Sequence, residues 1–294
     1  MKLKHLFWLL GLSAMLAACD TKDEVDPVRT VCFASEAAPA GTRTSLDRET
    51  FYWTQGDRIF VKNGSAYVPS DNAVAGKAIG ANFYMSGTYD DLAGYHVVYT
   101  GNGKSDATTV EIKADQRQDV ADDATHIGTD GDCGNALAYR TGSFSYAFSL
   151  NHKASYLRIA PRHNLSGVSN VVLKSVKVET VGTDNLCGTY SFSETTGTAT
   201  GTASLAEETN SAPGKAITLT VGDWPVPSVA AAKSDLSLLD QVRGYMVIQP
   251  GTHTLVFTYT VRVDGETSDR PIVKLVPERG FAQGCYTEVK HILQ

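Results

Sequence analysis

A ten-residue stretch near the C-terminus does most to limit what this chain can become. In residues 254–263, Leu255, Phe257, Tyr259, Val261 and Val263 occupy alternate positions, with Thr254, Thr258, Thr260 and Arg262 among the residues between them. A period of two sends successive side chains to opposite faces of a strand, so one face is buried and the other wet. Shorter runs of strand character recur at residues 51–53, 58–62, 82–85, 95–100, 109–113, 144–150, 155–160, 171–178, 216–221, 245–249, 271–276 and 286–293. Gly, Asn, Asp and Pro punctuate them at the spacing of antiparallel sandwiches. One segment, residues 234–243, reads as a helix, with Ser234 as N-cap, Leu236, Leu239 and Val242 on one side, and Gly244 as the stop. The expected fold is therefore all-β. So many strands exceed one small sandwich, and dividing the chain near residue 145 gives two abutting antiparallel β-sandwich domains, 29–145 and 146–294.

Composition agrees. Of 294 residues, 42% are hydrophobic and 20% charged, enough apolar material for real cores and too little charge for a disordered chain. The 26 glycines follow no fixed period and no heptad is sustained, which removes collagen-like and coiled-coil folds. The formal charge of −6 argues against a basic face for nucleic acid.

The first residues carry an export signal. Lys2 and Lys4 precede an apolar run, residues 6–18, that is too short to span a bilayer, so residues 1–18 read as a signal peptide. Without it the balance is 24 basic against 32 acidic residues, −8. The run ends in Leu16-Ala17-Ala18-Cys19, which resembles the lipobox of bacterial lipoproteins. That resemblance implies that Cys19 becomes the lipidated N-terminus, where several acyl chains hold a protein firmly on a membrane. Residues 19–28 are polar and aperiodic and read as a tether. Their Lys22-Asp23-Glu24 is similar to the acidic signal that sends Bacteroidetes lipoproteins to the cell surface.

Motifs for chemistry are missing. The chain has no Gly-x-Ser-x-Gly elbow, His-Glu-x-x-His, Cys-x-x-Cys or phosphate-cradling Gly-x-x-x-x-Gly-Lys-Ser/Thr loop. No catalytic residue, cofactor or metal site is assigned. The richest polar stretch, residues 115–135, gathers Asp119, Asp122, Asp123, His126, Asp130 and Asp132; such oxygens suit Ca²⁺, but the spacing is not that of an EF-hand, and the stretch reads as an exposed acidic loop. Besides Cys19, four cysteines remain. Cys32 and Cys133 lie in the first half, Cys187 and Cys285 in the second; export permits disulfides, three connectivities exist, and one bridge per domain is the simplest. Trp53 is a large core anchor whose indole N–H needs a partner, Gly56-Asp57 is a turn, and His152 between two strand runs reads as a hydrogen-bonded structural histidine.

Taken in order, these residues resemble a known family. Thr42-Arg43-Thr44-Ser45, then Trp53-Thr54-Gln55-Gly56-Asp57-Arg58-Ile59-Phe60-Val61, Gln116, and Phe148-Ser149-Leu150-Asn151-His152-Lys153-Ala154-Ser155-Tyr156-Leu157 are similar to the fimbrillin (Mfa-like, FimA-type) family of Bacteroidetes, as are Gly188-Thr189-Tyr190 and Tyr245-Met246-Val247-Ile248-Gln249-Pro250. The resemblance spans nearly the whole mature chain. It implies two transthyretin-like sandwiches, a surface lipoprotein of the outer membrane, and a structural, tip or anchor role in a pilus. Partners would be other pilus subunits, joined by β-strand addition, with a host or bacterial surface ligand for an adhesin. It also implies that an arginine-directed protease cuts after an Arg in the loop following the first strand, and that another subunit's strand fills the groove left behind. Residues 31–35 match that first strand and Arg43 the cut, with Arg29 and Arg48 as competitors. A bridge between Cys32 and Cys133 would tether the cut strand. The alternatives are a glycan-binding lipoprotein, favoured by clustered exposed aromatics on one sheet face, and a surface hydrolase, favoured by a convergent carboxylate pair in a cleft.

Overall fold

The computed structural model describes residues 30–36, 51–192, 194–195, 202–203, 205 and 209–294. The protein is all-β. In the first half, β1 (Val31–Ser35), β2 (Phe60–Asn63), β3 (Ala66–Pro69), β4 (Asn82–Met85) and β5 (Gly94–Tyr99) are followed by β6 (Thr109–Ile112), β7 (Asp115–Gln118), β8 (Gly134–Gly142), β9 (Ser145–Phe148) and β10 (Asn151–His152). Eight of these make one sheet in the order β3-β2-β5-β8-β9-β1-β4, with β10 paired to β8. Its inner face packs Val31, Phe33, Trp53, Phe83, Tyr95, Tyr99, Tyr146 and Phe148 into a largely aromatic core.

The second body begins with β11 (Ser155–Ile159), β12 (Arg162–His163), β13 (Val171–Thr180), β14 (Gly188–Ser191), β15 (Glu194–Thr195) and β16 (Thr202–Ala203). It continues through β17 (Ala216–Pro225), β18 (Gly244–Ile248), β19 (Gly251–Val263), β20 (Arg270–Phe281), β21 (Tyr286–Val289) and β22 (Ile292–Leu293). A five-stranded sheet, β20-β19-β13-β17-β7, and a three-stranded sheet, β18-β11-β21, both feed a larger core. The alternation read in residues 254–263 is β19, whose Leu255, Phe257, Tyr259, Val261 and Val263 are all buried.

The pairing differs from sequence expectation in three ways. Four strand pairs are parallel: β1 with β9, β11 with β21, β12 with β22, and β17 with β7. Division at 145/146 would cut β9, which is held in the first sheet by β1 and β8. In the opposite direction β6 pairs with β14 and β7 with β17, so residues 109–118 belong to the second body's sheets. The larger core accordingly takes Val98, Val110, Ile112, Ile127 and Cys133 from the first half, and the bodies share it rather than merely abut. Pairing follows edge complementarity in space, which no linker composition announces.

Two glutamines bind β7 to β18 across the gap between sheets. Gln116 donates from Nε2 to Val247 O (2.7 Å) and accepts at Oε1 from Val247 N (2.9 Å); Gln118 accepts from Tyr245 N (2.8 Å) and donates to Arg243 O (3.1 Å). A side-chain amide carries the same donor and acceptor as a peptide group, so these buried side chains stand in for a missing neighbouring strand.

The expected helix at 234–243 is two pieces. α1 (Ile127–Asp130) is a single turn, and α2 (Val229–Ser234) is capped by Ser228, whose side chain accepts from Ala231 N; Asp235 then caps a separate 3₁₀ segment, Leu236–Val242. Asp235 in extended conformation ends the first piece; of the apolar side inferred from sequence, Val242 is fully buried and Leu239 half-buried, while Leu236 is 70% exposed.

Candidate functional site

β1 is a short strand in the interior of the first sheet. Val-Cys-Phe-Ala-Ser alternates large apolar with small residues, and Val31 and Phe33 are fully buried while Cys32 and Ala34 point to the outer face. Phe33 stacks on Tyr146 (centroids 5.0 Å apart, 16°) and meets Tyr95 edge-on (5.7 Å). β1 runs antiparallel to β4, with Phe33 opposite Phe83, and parallel to β9, with Phe33 opposite Tyr146. Both of its edges are therefore in use. At its end Ser35 N donates to Ala81 O (2.8 Å) and Glu36 N to Phe148 O (2.8 Å).

The indole that lacked a partner in the sequence finds it here. Trp53 Nε1 donates to Ser35 Oγ (2.5 Å), which also accepts from Ala81 N (3.1 Å). Ser35 was not singled out by sequence; the signals for it were a hydroxyl ending an apolar alternation and a core tryptophan in need of an acceptor. Arg43, Arg29, Arg48 and Cys19 lie outside the described residues.

A cleft opens beside the end of β1, lined by Ser35, Glu36, Phe51, Trp53, Leu150 and His152, and it continues past Tyr52, Asp57, Tyr99 and Asp132. Phe51 lies flat on His152 (3.7 Å, 19°) and beside Tyr286 (5.4 Å). Asp132 accepts from Tyr156 OH (2.5 Å) and contacts His152 Nδ1 at 2.7 Å. Three carboxylates, Glu36, Asp57 and Asp132, thus line one cleft, yet each accepts hydrogen bonds from the protein, Glu36 Oε2 from Tyr139 OH. Asp57 Oδ1 accepts from Tyr99 OH and Asn102 Nδ2, and Oδ2 from Thr54 N and Oγ1, which closes the turn at Gly56. Burial pushes the Asp57 carboxyl up, against the opposing pull of these hydrogen bonds. Such an arrangement holds loops together.

The acidic stretch is not uniformly an exposed loop. β7 occupies its beginning, Asp130 and Asp132 are buried, and Asp122 accepts from Arg243 and from Tyr245 OH. Among the described residues, no three His, Cys, Asp or Glu are grouped to hold a metal ion, and no helix is long and apolar enough to cross a membrane. No disulfide joins the four described cysteines: neither Cys32 with Cys133 nor Cys187 with Cys285 is bridged. Cys32 faces outward between Tyr84 and Ser145, whereas Cys133 is buried in the larger core; Cys187 packs against Gly214, and the Cys285 carbonyl accepts from Tyr156 N.

No family model matches the chain, and no curated protein matches it. Solved structures similar to it include a candidate cell adhesion protein from Bacteroides uniformis ATCC 8492, at 14% identity over 89% of this chain and 92% of that one, with a TM-score of 0.47. A second candidate cell adhesion protein, from Bacteroides ovatus ATCC 8483, is similar at 12% identity over 89% and 91%, with a TM-score of 0.44. A fimbrial assembly protein from Parabacteroides distasonis ATCC 8503 is similar at 10% identity over 90% of each chain, with a TM-score of 0.36.

Proposed function

We propose that the chain is a surface-anchored, fimbrillin-like lipoprotein without catalytic activity: a structural subunit, or an accessory tip or anchor adhesin, of a pilus assembled by strand exchange. The observation that carries this is β1, an interior strand that is followed by Glu36 and then, before the next described residue, Phe51, by a segment that contains Arg43. If β1 leaves, the facing edges of β4 and β9 lose their partner, and the groove that held Val31 and Phe33 opens on Phe83, Met85, Tyr146 and Phe148. Unpaired edges over a hydrophobic groove bind another extended chain through main-chain hydrogen bonds. In this proposal Cys19 carries the lipid in the outer membrane, a cut after Arg43 frees β1, and other pilus subunits are the partners.

The test is the mature N-terminus of material recovered from cell surface and pili. A start at Thr44, with detergent-resistant ladders lost in Arg43→Ala, supports a strand-exchanging subunit. A start at Cys19 with ladders indifferent to Arg43→Ala refutes that role and leaves the uncut anchor or adhesin. Cys19→Ser should abolish lipid labelling; unchanged membrane partition would refute anchoring by Cys19.

A second proposal, a glycan-binding face, has one observation in its favour. Tyr84, Leu137 and Tyr139 share the outer face of the first sheet, each at least 40% exposed. Binding to a glycan array that disappears in Tyr139→Ala would support it.

A further inference from the structure

β1 presents three side chains inward, and the third differs in kind from the other two. Val31 and Phe33 enter apolar packing, whereas Ser35 Oγ is the acceptor for both the Trp53 indole N–H and the Ala81 N–H. An indole nitrogen can only donate. Trp53 is 8% exposed and its ring is wedged edge-on against Phe83 (4.9 Å) and Tyr99 (5.4 Å), so it cannot turn its N–H to water. The backbone closes in at the same point: a Cβ on Gly80 would stand 2.8 Å from Ser35 O, and Ser35 N donates to Ala81 O. The Ser35 end of the slot is thus a polar socket with one buried donor, the Trp53 indole, and one half-buried donor, the Ala81 N–H, and an occupant lacking an acceptor there leaves both without a protein partner.

We infer that the β1 slot reads its occupant: it selects a partner strand, running parallel to β9, with apolar residues at its first and third positions and a hydroxyl residue at its fifth. This rests on the removable-strand reading above and adds the chemistry of the strand that replaces β1. Main-chain ladders to β4 and β9 accept any sequence, the pockets of Val31 and Phe33 ask for apolar bulk, and the Trp53–Ala81 socket asks for an acceptor on a short side chain.

The test uses the full chain, cut in the 37–50 segment by an arginine-specific protease that is then inhibited. Biotinylated peptides copying residues 28–36 are added, with Ser or Ala at the position of Ser35, and a parallel series uses a Trp53→Phe chain. The serine peptide should be captured about 10-fold more tightly than the alanine peptide, from the loss of one well-made buried hydrogen bond or more. That preference should shrink to about threefold or less in Trp53→Phe. Since Trp53→Phe could disturb the core, Ser35→Ala in the otherwise native chain is a second arm, and its cut strand should dissociate about 10-fold faster than that of the parent. Equal binding of the two peptides with unchanged dissociation would overturn the socket while leaving strand exchange intact. If no strand dissociates and no peptide binds after cutting, the removable strand itself is refuted, and the socket with it.

Discussion

In the second body, β13, β17, β19 and β20 run for 10, 10, 13 and 12 residues, and each pairs with its neighbour along most of its length. In the first body, β1 has five residues, β4 and β9 four each, and the sheet between β9 and β4 is closed by that one short insert. The long ladders spread cohesion over many hydrogen bonds and over a core rich in Val, Leu and Ile. The first body concentrates it instead in a few aromatic contacts and in one strand whose sequence neighbours are not its partners. Opening free energies differ between regions of a protein in this way, and elements that move are drawn from the less redundant ones. The contrast therefore predicts that the first sheet, and β1 within it, opens before the second body does.

The largest test of that contrast is removal of residues 31–35. Hydrogen exchange followed by mass spectrometry should show β4 and β9 amides losing protection while β13 and β19 keep theirs. Equal loss in both bodies would break the comparison. Next, Phe33→Ala should cost about 3–5 kcal/mol in urea unfolding, because a fully buried ring leaves a cavity among Tyr95 and Tyr146. A cost under about 1 kcal/mol would mean that β1 contributes little.

The second body has its own sensitive point. Gln116→Leu strands the N–H and C=O of Val247 and should cost about 2–5 kcal/mol, read as lost protection in β18. Smaller still is a pH effect. Tyr259 OH bonds His291 Nδ1 at 2.8 Å, and burial, with Lys274 adding to it, pushes the His291 imidazole down from 6.5 to about 4. Between those values the unfolded chain takes up a proton that the folded one refuses, so stability falls as pH drops from 6.5 towards 4. His291→Asn should flatten that slope in urea midpoints, and an unchanged slope would assign it elsewhere. Smallest is Leu236→Ala, within about 0.5 kcal/mol, since the side chain is largely in solvent.

Much of this molecule can be read along the chain. β19 follows from its alternation, the Trp53-to-Asp57 turn from Gly56 and a carboxylate that can close it, and the need of Trp53 for an acceptor from its indole. The candidate site is only half legible. Residues 31–35 look like a strand, but neither its interior place nor the role of Ser35 has a local signature, because Ala81 and Trp53 meet it from 46 and 18 positions away. β8 was hidden because Gly134-Asn135-Ala136 offers weak strand propensity at the edge of an acidic run, and tertiary pairing with β5 and β9 overrides it.

What the sequence by itself determined is local: period-two hydrophobicity, turn chemistry, and enough apolar residues for all-β packing. What only the tertiary structure decided is which edges meet. Parallel pairs such as β1 with β9 and β7 with β17 join residues 113 and 103 positions apart, and no local pattern encodes a partner at that distance. The same holds for the substitution of Gln116 and Gln118 for a strand and for the socket around Ser35. Each depends on hydrogen-bonding groups that must be satisfied once buried, and burial exists only after the chain has folded.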